Sequence, residues 1–228
     1  MGQADATLII TPSNKTILID AGTQSDGEKV VSYLKQANIS TIDRLIITHA
    51  NEDHVCGAVK VMSNFNVKQV IDSGIPHTSQ TYLDYLTYID NNNIDFVVPN
   101  AGDKIGIDPA LGITIVNSGQ SGDEINDSSI ALHLQYGSFA YLATGDAEVA
   151  AERRIVDKFN VKSDVLKVGH HGSSTSSNDF FLAEVKPSAA IISYGDGNSY
   201  GHPHQEVLTR LANAEQRIST ILRLVLSS

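Results

Sequence analysis

The chain has 228 residues, 41% of them apolar, enough to build one ordinary core and to fit a single domain spanning residues 1–228. No run of 18 apolar residues occurs, so nothing is built to span a bilayer as a helix, and strand-like sequence begins almost at Met1 with no leader in front. A formal charge of −10 argues against broad electrostatic wrapping of nucleic acid, and the single cysteine, Cys56, excludes an internal disulfide and a thiolate cluster, so any metal must rely mainly on histidine and carboxylate.

In chain order, residues 7–11 and 16–20 are β-rich runs bounded by Pro, Asn or Gly and read as strands. Ser25-Asp26-Gly27-Glu28 has the spacing of a capping box ahead of Val30, Val31 and Leu34, which starts a helix there. Strands follow at 44–48, 68–72 and 95–98, with a helix at 81–89 that sets Tyr82, Leu83, Tyr85, Leu86 and Ile89 on one side. Further strands read at 113–116, 130–136, 139–143, 165–168 and 189–193, with helices at 147–159, 178–185 and 203–214, the last with Pro203 in its first turn. Gly137-Ser138 suits a tight hairpin, which does not fit a purely parallel doubly wound sheet and favours layered sheets with outer helices. No repeat period appears, and no low-complexity linker exceeds the Ser-rich stretch 173–177.

Three polar segments each end an apolar, strand-like run: Thr48-His49-Ala50-Asn51-Glu52-Asp53-His54, Thr144-Gly145-Asp146 and Val168-Gly169-His170-His171-Gly172. Where they converge, they would hold two divalent metal ions. His49 and Asn51 alternate and face alike in an extended loop, while Asp53 and His54 follow at the start of a helix. Asp146 would stand at the mouth of a sheet, where a carboxylate can bridge two ions, and His170 and His171 arrive in the same fashion. Gly145, Gly169 and Gly172 leave room for close backbone approach. Such donors accept Zn²⁺ and Mn²⁺ alike.

Other polar residues have ordinary readings. His77 sits in a loop, His133 alternates within a strand, and His204 lies in a helix's first turn. Tyr82, Tyr85 and Tyr88 could form a base-stacking ladder, but their spacing matches helix packing. Cys56 reads as a small packed residue, and 173–177 as either a phosphate-binding or a solvated loop.

At these residues the chain resembles the metallo-β-lactamase superfamily, whose sandwich carries an HxHxDH motif after one strand, an Asp after a later strand and a further His beyond it. It is similar to the ComEC-type branch, the hydrolase domain of the competence DNA-uptake protein ComEC and its stand-alone relatives. That likeness rests on Gly2-Gln3-Ala4-Asp5-Ala6, Ile17-Leu18-Ile19-Asp20-Ala21-Gly22, the HANEDH segment, Asn126 to Ser129, TGD, VGHHGS and Asn198-Ser199-Tyr200-Gly201-His202-Pro203, and covers the chain to about Ala214.

The resemblance implies an αββα four-layer sandwich of two mixed β-sheets flanked by helices. It implies a metal-dependent hydrolase, a phosphodiesterase or nuclease acting on DNA through metal-activated water, in an extracytoplasmic or secreted setting. It makes His49, Asp53, His54, Asp146 and one of His170 or His171 metal ligands; the GH step favours His170, with His171 beside it on substrate or metal. Asp53 would also orient the nucleophile. Asp20 would support the site from behind, and His202 would steady a phosphate or protonate the leaving oxygen.

The chain departs from the family pattern in three places. Position 51 is Asn, a weaker donor than imidazole or carboxylate; the intermediate His is replaced by Ile125-Asn126-Asp127-Ser128; and the end of the chain, from Glu215, lacks the branch's usual Tyr- and Asp-containing strand. Two divalent ions set against Asp53, Asp146 and a bridging hydroxide leave about +1 of charge, enough to draw an anionic diester. The alternatives are a hydrolase of a small or cell-wall phosphate ester, favoured by the acidic chain, and a binding domain whose metal site has decayed through Asn51.

Overall fold

The first half of the chain runs β1 (Thr7–Ile10), β2 (Thr16–Ile19), α1 (Gln24–Gln36), β3 (Thr41–Ile42), β4 (Arg44–Ile47), α2 (Glu52–Val55), α3 (Ala58–Met62), β5 (Asn66–Val67), β6 (Gln69–Asp72), α4 (Gln80–Asn91) and β7 (Asp95–Val97). The second half runs β8 (Leu111–Asn117), β9 (Ala131–Tyr136), β10 (Phe139–Ala143), α5 (Val149–Lys158), β11 (Val165–Lys167), α6 (Asp179–Val185), β12 (Ala189–Ile192), α7 (Gln205–Asn213) and β13 (Arg217–Thr220). The computed structural model describes residues 3–214 and the backbone of 217–220; Met1 and Gly2 of the first motif, Glu215-Gln216 and the apolar run beyond 220 lie outside the described residues.

One sheet has the order β1-β2-β4-β6-β7 and the other β13-β12-β11-β10-β9-β8. Each is mixed: β1 pairs antiparallel with β2 while β2, β4, β6 and β7 run parallel, and the β8–β9–β10 meander is antiparallel while β10 to β13 are parallel. Ile9, Ile17, Ile19, Ile46 and Ile71 of the first sheet meet Ile113, Ile115, Leu132, Leu134 and Tyr141 of the second in one buried cluster, the seam between the sheets. The opposite face of the first sheet packs Leu18, Leu45 and Val70 on Val30, Val31, Leu34 and Tyr85 of α1 and α4. The opposite face of the second packs Leu142, Leu166 and Ala190 on Ile155, Phe181 and Leu211 of α5, α6 and α7. The result is the αββα sandwich, with each fully buried Ile or Leu contributing about 1.5–3 kcal/mol relative to exposure.

Several local expectations are corrected. α1 is capped two residues earlier than the Ser25 box: Thr23 Oγ1 accepts from the Asp26 amide at 3.2 Å and donates to Asp26 Oδ2 at 2.7 Å. Leu83 is 48% exposed, because the buried stripe of α4 runs through Tyr82, Tyr85 and Ile89. Tyr82 and Tyr85 are core, as their helix-packing spacing implies, and their hydroxyls each donate to buried Asp72 at 3.1 Å. Pro203 precedes α7 instead of opening it, with His204 in the capping position. The paired two-residue strands β3 and β5 are too short to show any period, and β13 falls in the tail for which the sequence offered no account.

Candidate metal centre

The polar segments sit at the carboxyl ends of neighbouring parallel strands, where helices depart and open sheets leave a crevice. Asp20 follows β2, His49 follows β4, Asp146 follows β10, and His170 and His171 follow β11. Asn51 precedes α2, which carries Asp53 in its first turn and turns His54 inward. Gly145 has φ +54°, and a Cβ there would stand 2.9 Å from the Thr48 Cβ and 3.0 Å from the Ser129 Cβ, so only glycine lets the Asp146 loop close on the His49 loop.

Asp146 is the hub. Its Oδ1 lies 3.4 Å from His54 Nε2, while its Oδ2 lies 3.9 Å from His49 Nε2, 3.8 Å from His170 Nε2 and 3.7 Å from His171 Nε2. The imidazoles are held from behind. His54 Nδ1 is 2.8 Å from Asp20 Oδ2, and Asp20 also accepts from Thr48 N and Thr48 Oγ1 at 2.8 and 2.9 Å. His49 Nδ1 lies 3.1 Å from Thr48 Oγ1 and 3.3 Å from Ser129 Oγ, and His171 Nδ1 donates to the Ser193 carbonyl at 3.0 Å. Asp53 Oδ2 lies 3.2 Å from His171 Nε2 and 3.9 Å from His54 Nε2.

Asp5, which the sequence supplied only as part of a motif, joins this cluster. Donor atoms of Asp5, His54, Asp146 and His171 all lie within 4.8 Å of one another. Buried polar atoms with no hydrogen-bond partner gather here: Asp5 Oδ1, His49 Nε2, His54 Nε2 and Asp146 Oδ1. Leaving such atoms unmatched is costly, and oxygen and imidazole nitrogen together are the donors that borderline divalent cations take, so these residues fit such an ion.

The electrostatics agree. Burial, reinforced by His54, pushes the His49 imidazole down to about 3 and keeps it neutral, as a ligand must be. Burial opposes the charge on His54, but Asp146 and Asp20 overcome it and hold that proton well above the ordinary range. Against its own burial, Asp146 is held well below the ordinary carboxylate range by His54, His171 and His49. Asp53 is lowered too, since its hydrogen bond to His171 and the charges of His54 and His171 together outweigh burial, and Asp5 falls to about 2 as Lys167 and the histidines outweigh its burial. A pocket that holds carboxylates ionised and draws positive charge suits a cation.

The remaining sequence candidates lie around this core. Asn51 Nδ2 donates to Asn126 Oδ1 at 3.0 Å. The His202 ring centre is 5.5 Å from that of His170 and 6.4 Å from that of His171. Gln3 Oε1 accepts from the Gly195 amide, so Gln3 Nε2 is the donor to His202 Nδ1 at 3.1 Å, and a neutral His202 carries its hydrogen on Nε2. Burial, His170 and His204 lower its pKa to about 4, which makes it a hydrogen-bond donor rather than an acid near pH 7. Tyr200, 66% exposed, stacks on that ring at 5.7 Å. Ser173, Ser176 and Ser177 are buried, and Ser176 Oγ donates to the Ala147 carbonyl, so that stretch is packed rather than solvated. His77, His133 and His204 bind Ser79, the Lys162 carbonyl and the Ser174 amide.

The family profile of the metallo-beta-lactamase superfamily matches residues 1–196. The chain is 31% identical to ComE operon protein 3 of Bacillus subtilis over 96% of its own length and 30% of that protein's, and 31% identical to Recombination protein 2 of Haemophilus influenzae over 92% and 25%. It thus spans less than a third of either relative. The metallo-beta-lactamase fold protein YhfI of Bacillus subtilis superposes with a TM-score of 0.59 at 14% identity, over 96% of this chain and 89% of that one. Matched by its profile over most of the sequence, the chain belongs to the metallo-β-lactamase superfamily, as a relative of its ComEC-type branch.

Proposed function

We propose that the chain is a metal-dependent phosphodiesterase that cleaves DNA, working outside the cytoplasmic membrane as the branch does. The observation that carries the reading is the convergence of four buried, unpartnered donor atoms from Asp5, His49, His54 and Asp146. His49, Asn51, Asp53, His54, Asp146 and the His170–His171 pair would hold two divalent cations, zinc or manganese. Such ions supply an acidified water and a polarised phosphoryl bond.

The chain's own residues do the rest. Asp53, with its side chain 29% exposed and Oδ2 between His54 and His171, faces the mouth of the site and is suited to orient an attacking water. His202 donates its Nε2 hydrogen to a phosphate oxygen, steadying the diester rather than protonating the leaving group. Tyr200 offers an open aromatic face beside it on which a nucleobase can stack. The likeness to ComE operon protein 3 supports DNA. The charge of −10 instead favours a small or cell-wall phosphate ester, the second reading.

Titration of Mn²⁺ and Zn²⁺ into the chain with single-stranded DNA, double-stranded DNA and a small diester tests this. Metal-dependent DNA cleavage, abolished by chelator and by Asp146→Ala, is expected. Cleavage of the small diester alone selects the second reading, and substoichiometric metal with no cleavage leaves a binding domain.

A further inference from the structure

Three rings follow one another outward from the donor cluster: His171, then His202 with its centre 6.4 Å away and its plane at 21°, then Tyr200 a further 5.7 Å on at 23°. The loop that carries Tyr200 and His202 is shaped by one side chain. Asn198 Oδ1 accepts from the amides of Tyr200 and His202 at 3.1 and 3.0 Å, and Asn198 Nδ2 donates to the carbonyls of Gly195 and His202 at 2.8 and 2.6 Å. All of these bonds lie within the loop, so they fix its form and leave its place over the site to another residue.

His204 supplies the place. Its backbone amide donates to the Gly172 carbonyl at 2.9 Å, its Nδ1 lies 2.9 Å from the Ser174 amide, and its Nε2 lies 3.2 Å from the Tyr200 carbonyl. An amide N–H only donates and a carbonyl only accepts, so the ring is the neutral tautomer with its hydrogen on Nε2, and both nitrogens are spent. No lone pair remains for a metal and no hydrogen for a substrate. Gly172 and Ser174 belong to the segment that leaves His170 and His171, two residues with φ of +47° and +51°. The two segments touch at Gly172, whose φ is +83° and where a Cβ would stand 2.6 Å from the Pro203 Cβ. Arg210 of α7 holds the same segment, its Nη1 donating to the Ser174 and Ser176 carbonyls at 3.1 Å each. His204 is therefore a strut between an anchored segment and the Tyr200 loop.

We propose that His204 is a positioning residue for substrate: its ring bonds to Ser174 and Tyr200 hold the open Tyr200 face at a set span from the donor cluster, so that an unpaired base stacks there while the adjoining phosphate reaches His202 Nε2. This deepens the phosphodiesterase reading and rests on it. In a duplex the neighbouring pairs cover both faces of a base, so the arrangement selects single-stranded DNA or a frayed end.

The test is made on the full chain loaded with Mn²⁺, by fluorescence anisotropy with a phosphorothioate single strand, which resists cleavage, and with its abasic counterpart. The unsubstituted chain should bind the strand about tenfold more tightly than the abasic one. His204→Phe, which keeps the ring and loses both bonds, and His204→Asn, which keeps an acceptor for Ser174 and loses the donor to Tyr200, should each erase most of that preference. Combined with Tyr200→Ala, either should cost the strand nothing further, because both act through one contact; a residue needed only for the fold would weaken both strands and add to Tyr200→Ala. ¹⁵N–¹H correlation spectra near pH 8 should show the His204 hydrogen on Nε2. A preference retained in both His204 variants, losses that add, or a hydrogen on Nδ1 overturn the inference. Failure of the unsubstituted chain to cleave ordinary DNA while this pattern holds overturns the phosphodiesterase reading and leaves His204 positioning a ligand; binding of neither strand overturns both.

Discussion

Lys167 of β11 and Asp5 ahead of β1, 162 residues apart, meet as a buried ion pair, with Nζ 2.7 Å from Oδ2 and each side chain 7% exposed. The pair fastens the start of the chain to the second sheet and holds the Asp5 carboxylate beside His54, Asp146 and His171. Lys167→Met strands a buried carboxylate and should cost about 3–5 kcal/mol, whereas the double variant with Asp5→Asn should cost less than Lys167→Met alone. Urea denaturation of the three variants measures this, and additive losses would show that the pair carries no coupling.

Asp20 sets His54. Its Oδ2 takes the Nδ1 hydrogen of the imidazole and its Oδ1 the Thr48 amide. Asp20→Asn can keep the amide contact but turns an N–H toward His54, favouring the tautomer with its hydrogen on Nε2. Metal affinity, read by competition with a chelator, should fall about 10–100-fold with the circular dichroism spectrum unchanged. Equal affinity would remove His54 from the ligand set.

Glu152 of α5 is buried beneath the Ser-rich stretch, accepting from the Ser177 and Asn178 amides and from Asn178 Nδ2. Burial outweighs those bonds and pushes its pKa from 4.5 up to about 7. The folded chain therefore binds a proton that the unfolded chain has released, and stability that is full below pH 4.5 declines up to about pH 7, by about 3 kcal/mol. Glu152→Gln should flatten that decline in denaturation measured at pH 4.5, 6 and 8. A slope identical to that of the unsubstituted chain would return the group to its ordinary pKa.

Tyr200→Ala should raise KM on single-stranded DNA about tenfold, with little change in kcat, because one base-stacking contact is worth about 1–3 kcal/mol. An abasic oligonucleotide should not distinguish the two proteins. Equal losses on both substrates would make Tyr200 a packing residue for His202.

Much of this was readable from residues. The strands of the seam and the outer helices follow from alternation, helical spacing and Gly or Pro punctuation, and His49, His54, Asp146 and the His170–His171 pair stand out because each group ends an apolar run. What stayed hidden depends on partners far along the chain. Asp5 stands in the sequence only as part of a motif until Lys167 and His171 are folded beside it, and nothing local marks Glu148 until Asn126, Thr175 and His170 converge on it. Leu83 fits an apolar stripe equally well on either side of the helix, and only the position of the sheet decides that Tyr82 and Tyr85 face inward.

Two consecutive left-handed residues at His170 and His171 have a thermodynamic consequence. Side chains with a Cβ resist that conformation by about 1–2 kcal/mol each, and glycine does not. His170→Gly and His171→Gly should therefore melt higher than the corresponding alanine variants. The loop therefore carries a conformational cost at the two residues that present its imidazoles, and the resting fold is in tension with its chemistry there.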